Sequence, residues 1–235
     1  MGEALLWGAV AASSLVIGAL LGLVGRWPRR TVGLVLAFGA GALISAVAFE
    51  LAQEGARVGG TGAMAVGLAA GALAYYVLDG VIERMGRKRP ADAGAGPALA
   101  LGAVLDGIPE QLVLGVGLTT GTGVSVGLLT AVFVSNLPEA IGSANEMRAA
   151  GHAPWTVRLI WFGVAAVCAL STVVGHLVAD VTTGPWNGAI DGFAAGATLV
   201  MLIDSMIPTA AERAGRPAGL AAMLGFALGT ALSSV

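Results

Sequence analysis

The sequence predicts an all-α integral membrane protein with eight transmembrane helices. Apolar residues make up 57% of the chain and charged residues only 11%, and the mean hydropathy is +0.86. Charge this sparse and hydropathy this high lie outside the usual range of soluble globular domains. The single cysteine, Cys168, excludes an internal disulfide and is interpreted as a small buried apolar side chain.

Eight segments approach the roughly 20 apolar residues that a helix needs to cross a bilayer core. They lie near residues 4–24, 31–53, 62–84, 98–118, 124–147, 157–179, 188–208 and 218–234. The connections are short, so we expect one transmembrane domain over residues 1–235. The polar stretch near 85–97 is interpreted as a flexible loop. No basic residue precedes Arg26, which favours a retained first span over a signal peptide.

The positions of the cations predict how the chain is oriented. If the first connection is cytoplasmic, eleven of the twelve Lys and Arg residues lie at cytoplasmic ends, and only Arg57 does not. Cytoplasmic loops of membrane proteins carry such an excess of positive charge. We therefore expect a multi-pass protein of the plasma membrane, the inner membrane in a bacterium, with both termini outside the cytoplasm.

A short pattern recurs in the second and seventh spans. Phe-Gly-Ala-Gly-Ala-Leu-Ile at 38–44 matches Phe-Ala-Ala-Gly-Ala-Thr-Leu at 193–199. The expected orientation makes these two spans run in opposite directions, which predicts an inverted repeat of the kind found in many secondary transporters. The alternative is that two Gly/Ala-rich helices resemble each other through composition alone.

The strongest functional signal is a motif that occurs in both the fourth and the fifth spans. Asp106-Gly-Ile-Pro-Glu110 and Ser135-Asn136-Leu-Pro-Glu139 each place an oxygen-bearing side chain four residues before a glutamate. Residues at i and i+4 share a helix face, and each proline frees one backbone carbonyl. No Lys, Arg or His lies at central depth in the spans. These carboxylates must therefore be protonated, hydrated or bound to a cation.

The doubled motif, the eight spans and the Phe-x-Ala-Gly-Ala pattern resemble the ZIP (Zrt/Irt-like) family of divalent metal transporters. In that family the fourth span carries His-Asn-x-Pro-Glu-Gly, where this chain has residues 106–111. One bacterial branch carries Gln-Asn-x-Pro-Glu-Gly in the fifth span, where this chain has 135–140, and the second span often ends in His-x-x-Pro-Glu, here 50–54. The resemblance implies six metal ligands: Asp106, Glu110, Ser135, Asn136, Glu139 and Glu50.

The resemblance also implies a non-enzymatic transporter that moves divalent cations toward the cytoplasm. It implies an elevator-type movement, a homodimer in the lipid bilayer, no nucleic-acid partner and no cofactor apart from the transported ion. The chain departs from the family at Asp106, where His is usual, and at Gly107, where Asn is usual. An all-oxygen set of ligands suits harder ions better than it suits zinc. Zinc, manganese, iron and cadmium all remain candidates.

Two other functions are compatible with the sequence. Loss of the usual histidines favours a ZIP-like metal sensor or regulator that does not transport. Asp79 and Asp106 could instead share a proton as an intramembrane aspartyl protease does, although the Gly-x-Gly-Asp context of those enzymes is absent. His176 and Asp180 form a second, weaker candidate for metal recruitment at the outer end of the bundle.

Overall fold

The computed structural model describes residues 1–25, 27–87, 96–118, 125–181 and 184–233. These residues form helices and no strands. The eight helical segments are α1 (Gly2–Val24), α2 (Arg29–Gly59), α3 (Thr61–Arg87), α4 (Gly96–Gly117), α5 (Val126–Ala149), α6 (Pro154–Val181), α7 (Pro185–Ala214) and α8 (Pro217–Leu232). Six of them (α1, α2, α3, α5, α6 and α7) are long and apolar enough to cross a membrane, and α8 is a shorter apolar helix. The predicted all-α class is confirmed for the described residues.

Each predicted span overlaps one observed helix, but α2 and α7 run well beyond their predicted ends. The last turn of α2, Glu54–Gly59, is polar on one side, which is why its sequence looked like a loop. Arg57 donates to both carboxylate oxygens of Glu54 across one turn, with its Nε 2.7 Å from Oε2, and this pair supports the helix there. Of the predicted loop at 85–97, residues 88–95 lie outside the described part of the chain.

A π-helical segment interrupts both α2 and α7. These segments, Val47–Gln53 and Leu202–Met206, begin at the same distance from Phe38 and Phe193, the first residues of the repeated pattern. In α7 the segment is followed by Pro208, which has no N–H to donate to the carbonyl four residues earlier. π-Helical turns inside helices are frequent at functional sites. The sequence analysis did not predict either segment.

The two copies of the repeat make equivalent helix contacts. α2 packs against α8, and α7 packs against α3. In each pair a glycine lies so close to the partner helix that an added Cβ would collide with a backbone oxygen. The colliding pairs are Gly41 with Ala222, Gly225 with Phe38, Gly196 with Leu68, and Gly71 with Phe193. The internal similarity seen in the sequence therefore extends to how the helices pack.

The buried apolar side chains form two clusters. One joins α1, α4, α5 and α6 and contains Leu15, Met147 and Trp161. The other is centred on α2, α3, α7 and α8 and contains Leu43 and Tyr75. α5 also packs on α2, and α4 packs on α7. The two helices that carry the doubled motif therefore contribute side chains to both clusters.

Candidate functional site

The doubled motif lies within α4 and α5, and both helices continue through their prolines. In α4, Asp106 and Glu110 are 9% and 3% exposed, one turn apart on the same face. In α5, Ser135 and Asn136 are buried and Glu139 is half-buried. The two motifs thus place polar side chains inside apolar helices, where an unpaired charge is costly.

The structure places three of the predicted carboxylates within electrostatic range of one another. Glu139 interacts electrostatically with both Asp106 and Glu110, and Glu110 interacts with Asp106. Among the residues that the structure describes, Oε2 of Glu110 is buried without a hydrogen-bond partner, and so is Nδ2 of Asn136. Buried polar atoms are nearly always hydrogen-bonded, so unpaired ones require an explanation. A bound cation is one such explanation for the Glu110 oxygen.

The carboxylates do not form a finished metal cage. Among the described residues, no three His, Cys, Asp or Glu side chains lie close enough together to hold a metal ion. Asp106 Oδ1 instead accepts a 2.5 Å hydrogen bond from the hydroxyl of Tyr75 in α3, and Ser135 donates to the carbonyl of Val132 at 3.0 Å. Two of the predicted ligands are thus engaged by the protein itself.

Glu50 lies elsewhere in the molecule. Its carboxylate accepts hydrogen bonds from the Ser125 hydroxyl, from the Leu128 N–H at 3.2 Å and from the Ser233 hydroxyl at 2.8 Å. It therefore caps the N-terminus of α5, where backbone N–H groups lack partners within the helix. From Leu128 to Ser135 is about 10 Å along a helix. The contacts of Glu50 do not bring it to the three central carboxylates.

Glu50 lines a cavity of about 470 Å³ at this end of the bundle, together with Glu54 and Asp191. A second cavity, of about 520 Å³, is lined by Asp79, Arg84 and Asp204. Asp79 also interacts electrostatically with Asp106. Within the described part of the chain, these two cavities thus contain carboxylates in addition to the central ones. Of the weaker candidate pair, the His176 ring lies 3.2 Å from the Met1 amino group, and the Asp180 side chain falls outside the described part.

Sequence reasoning missed two residues of this region, Tyr75 and Cys168. The Cys168 thiol is fully buried in α6 and faces Gly107, where an added Cβ would lie 2.6 Å from the sulfur. It interacts electrostatically with all three central carboxylates. The departure from the family motif at Gly107 was an available signal, since a missing side chain leaves space for a neighbour.

Gln111 holds α4 against α6 next to this contact. Its side-chain oxygen accepts a 2.5 Å hydrogen bond from the Thr172 hydroxyl, and Thr172 follows Cys168 by one turn. Gln111 Nε2 has no hydrogen-bond partner. A hydrogen bond between two fully buried side chains sets the register of the two helices, so Gly107 and Cys168 meet in a defined geometry.

No family model matches the chain. A protein of Arabidopsis thaliana named "Putative zinc transporter" is 28% identical to it over 189 residues, which is 77% of this chain and 30% of that protein. The chain therefore spans less than a third of the length of the curated relative it matches.

Proposed function

We propose that this chain transports divalent transition-metal cations, zinc or a related ion, across the membrane toward the cytoplasm. The observation that carries the proposal is the buried Glu110 carboxylate, which interacts electrostatically with Asp106 and Glu139. Its Oε2 atom has no hydrogen-bond partner among the described residues. Ionisable side chains at membrane depth commonly mark the path of an ion. The distant similarity to a protein named as a zinc transporter supports the same class of cargo.

The donor set favours a transition metal over magnesium or calcium. Three carboxylates and the Asn136 amide supply oxygen donors, and the Cys168 sulfur lies within electrostatic reach of the carboxylates. Magnesium and calcium take oxygen ligands, whereas zinc and cadmium also accept sulfur. We propose that Cys168 supplies a soft donor when the groups close around the ion, since no three of them in the described part are close enough as they stand.

The packing supports an elevator-type mechanism. α4 and α5 contribute to both apolar clusters, and the two copies of the repeat make equivalent close contacts with α8 and α3. In transporters built on inverted repeats, one group of helices moves against another around a site near the middle of the membrane. We propose that α1, α4, α5 and α6 move with the ion against α2, α3, α7 and α8. A homodimer and a bacterial inner-membrane location remain predictions from the resemblance and the charge pattern.

Uptake into dye-loaded proteoliposomes tests the proposal. Zn²⁺, Cd²⁺, Mn²⁺, Fe²⁺, Co²⁺, Mg²⁺ and Ca²⁺ would each be supplied to wild type and to Glu110→Gln/Glu139→Gln. We expect uptake of some transition metals and its loss in the double variant, because glutamine removes both charges at nearly constant volume. Glu212→Gln is the matched control, since Glu212 is exposed on the last turn of α7. No uptake by folded wild-type protein would contradict the proposal.

A metal sensor that does not transport is the second candidate. What favours it is that this chain lacks the histidines that are usual in the transport site of the family it resembles. Tight binding of an ion to purified protein, without uptake by the same preparation in liposomes, would identify a sensor. Loss of binding in Glu110→Gln/Glu139→Gln would place that binding at the same carboxylates.

A further inference from the structure

We propose that Tyr75 is a latch that holds Asp106 away from the cation and is released when the cation binds. The inference rests on the proposed function, because it assigns a regulatory contact to the same carboxylates. Tyr75 was not among the residues singled out from the sequence. Tyr75 is thus a positioning residue that acts on the ion through Asp106.

The contact itself is well defined. The Tyr75 side chain is 4% exposed, and its hydroxyl donates to Oδ1 of Asp106 at 2.5 Å. Hydrogen bonds from a hydroxyl to a carboxylate are short and stronger than those between neutral groups. Buried tyrosine hydroxyls need a polar partner, and here the partner is a carboxylate of the candidate site.

The hydrogen bond also joins the two groups of helices. Tyr75 lies on α3, which packs closely on α7, whereas Asp106 lies on α4, which packs closely on α6. A sliding movement of α4 along α3 would separate the two oxygens and break this bond. The latch is therefore placed where it couples the state of the carboxylate to the relative position of the helices.

The bond is consistent with the open geometry of the site. While Oδ1 accepts from Tyr75, Asp106 has one carboxylate oxygen directed to the protein, and no three candidate ligands converge. On cation binding, Oδ1 exchanges a hydrogen bond for a metal–oxygen contact, and the Tyr75 hydroxyl turns away. No covalent bond changes, and the neutral phenol keeps its proton.

A further carboxylate lies close to this contact in the sequence of α3. Asp79 follows Tyr75 by one helical turn, interacts electrostatically with Asp106, and lines the cavity that Asp204 also lines. Asp79 is therefore the next carboxylate that a cation released from Asp106 toward α3 would meet.

Tyr75→Phe tests the latch, because it removes only the hydroxyl and keeps the ring. The matched control is Tyr76→Phe on the neighbouring residue, whose side chain is 66% exposed. Kd for Zn²⁺ and for Mn²⁺ would be measured by titration of the full chain purified in detergent, and KM for uptake in proteoliposomes. We expect Tyr75→Phe to lower Kd and KM about five- to tenfold, because Asp106 no longer exchanges a hydrogen bond for the metal. We expect Tyr76→Phe to change neither.

The outcomes separate the latch from the proposed function. Equal Kd values for wild type and Tyr75→Phe, or a higher Kd in Tyr75→Phe, overturn the latch while leaving transport intact. Binding by Tyr75→Phe with none by wild type supports it. If neither protein binds or takes up any ion, the proposed function fails and the latch fails with it. A merely structural tyrosine would lower stability on mutation and would not tighten metal binding.

An infrared measurement without metal checks the contact directly. The carboxyl band of Asp106, assigned by its loss in Asp106→Asn, is expected to shift in Tyr75→Phe and to stay in place in Tyr76→Phe. An unshifted band means that the hydroxyl does not bond to Asp106, and it overturns the latch whatever the binding data show. This readout also serves if Tyr75→Phe yields too little protein for titration.

Discussion

At the residue scale, the central carboxylates follow from spacing, whereas their neighbours do not. Asp106 and Glu110 are an i, i+4 pair with no nearby cation, and that pattern is legible without coordinates. Tyr75 and Cys168 lie in apolar stretches of α3 and α6, where an aromatic ring or a thiol is indistinguishable from ordinary packing. Their approach to Asp106 and Gly107 depends on how three helices are placed.

Glu50 illustrates the opposite case. Its charge and its position near the end of a span made it a plausible ligand, yet its hydrogen bonds are with Ser125, Leu128 and Ser233. A carboxylate that caps a helix N-terminus and one that binds a metal have the same sequence signature. Glu50 is a cap because α5 begins beside the π-helical segment of α2. No local sequence pattern predicts that these two segments are neighbours.

Cys168 gives a test of which ions the site accepts. Titration of Cd²⁺ into the purified protein is expected to produce a thiolate-to-cadmium absorption band in the ultraviolet, and Cys168→Ser is expected to lack it. The chain has no other cysteine, so the assignment is direct. We also expect Cys168→Ser to weaken Cd²⁺ binding on the order of tenfold and Mn²⁺ binding much less, because sulfur prefers soft ions.

The substitution is conservative enough to isolate the sulfur, since serine keeps the size and buries a hydroxyl in its place. Glu110→Gln in the same assay shows whether the band depends on the carboxylates as well. If wild type gives no band while Cd²⁺ still binds, Cys168 is the small buried side chain that composition alone suggested.

At the element scale, the glycine contacts between helices are the sharpest structural constraint. Gly196 of α7 packs directly on the backbone of α3 at Leu68, and Gly41 of α2 packs in the same way on α8 at Ala222. Small residues allow such close approach in membranes, where helix association depends on packing. The sequence made these glycines visible, but not which helix each one contacts.

Gly196→Ala is expected to lower the free energy of unfolding by about 1–3 kcal/mol, because the new methyl group must displace a backbone oxygen. Gly163→Ala on α6 is the control, since nothing lies within 4 Å of a Cβ placed there. Alanine at that exposed site should leave stability unchanged or raise it by about 0.5–1 kcal/mol through helix propensity. Chemical unfolding in detergent, followed by circular dichroism, measures both variants. Equal stabilities of Gly196→Ala and wild type would mean that α3 and α7 can move apart to accommodate the methyl group at little cost in free energy.

At the scale of the whole molecule, helix number and order could be predicted because each span is a long apolar run. The π-helical segments could not, since they leave hydrophobic periodicity almost unchanged. The two acidic cavities also required coordinates, because their carboxylates come from helices far apart in sequence, such as Asp79 with Asp204 and Glu54 with Asp191. With the predicted orientation, the cavity at Glu54 faces outside and the cavity at Asp79 faces the cytoplasm. The central carboxylates lie between them.

The direction in which an ion would pass between these cavities depends on the orientation of the chain in the membrane. Single cysteines introduced into the Cys168→Ser variant can test that orientation. Thr61→Cys lies at the start of α3, expected outside, and Ala150→Cys lies just after α5, expected inside; both positions are exposed. A membrane-impermeant maleimide should label Thr61→Cys in intact cells and Ala150→Cys only after the membrane is opened, because cation-rich connections stay in the cytoplasm. Labelling of Ala150→Cys from outside would mean that the chain has the opposite orientation in the membrane. The cavity at Asp79 would then face the outside of the cell. The hydrogen bond from Tyr75 to Asp106 would in that case lie on the side from which the ion enters.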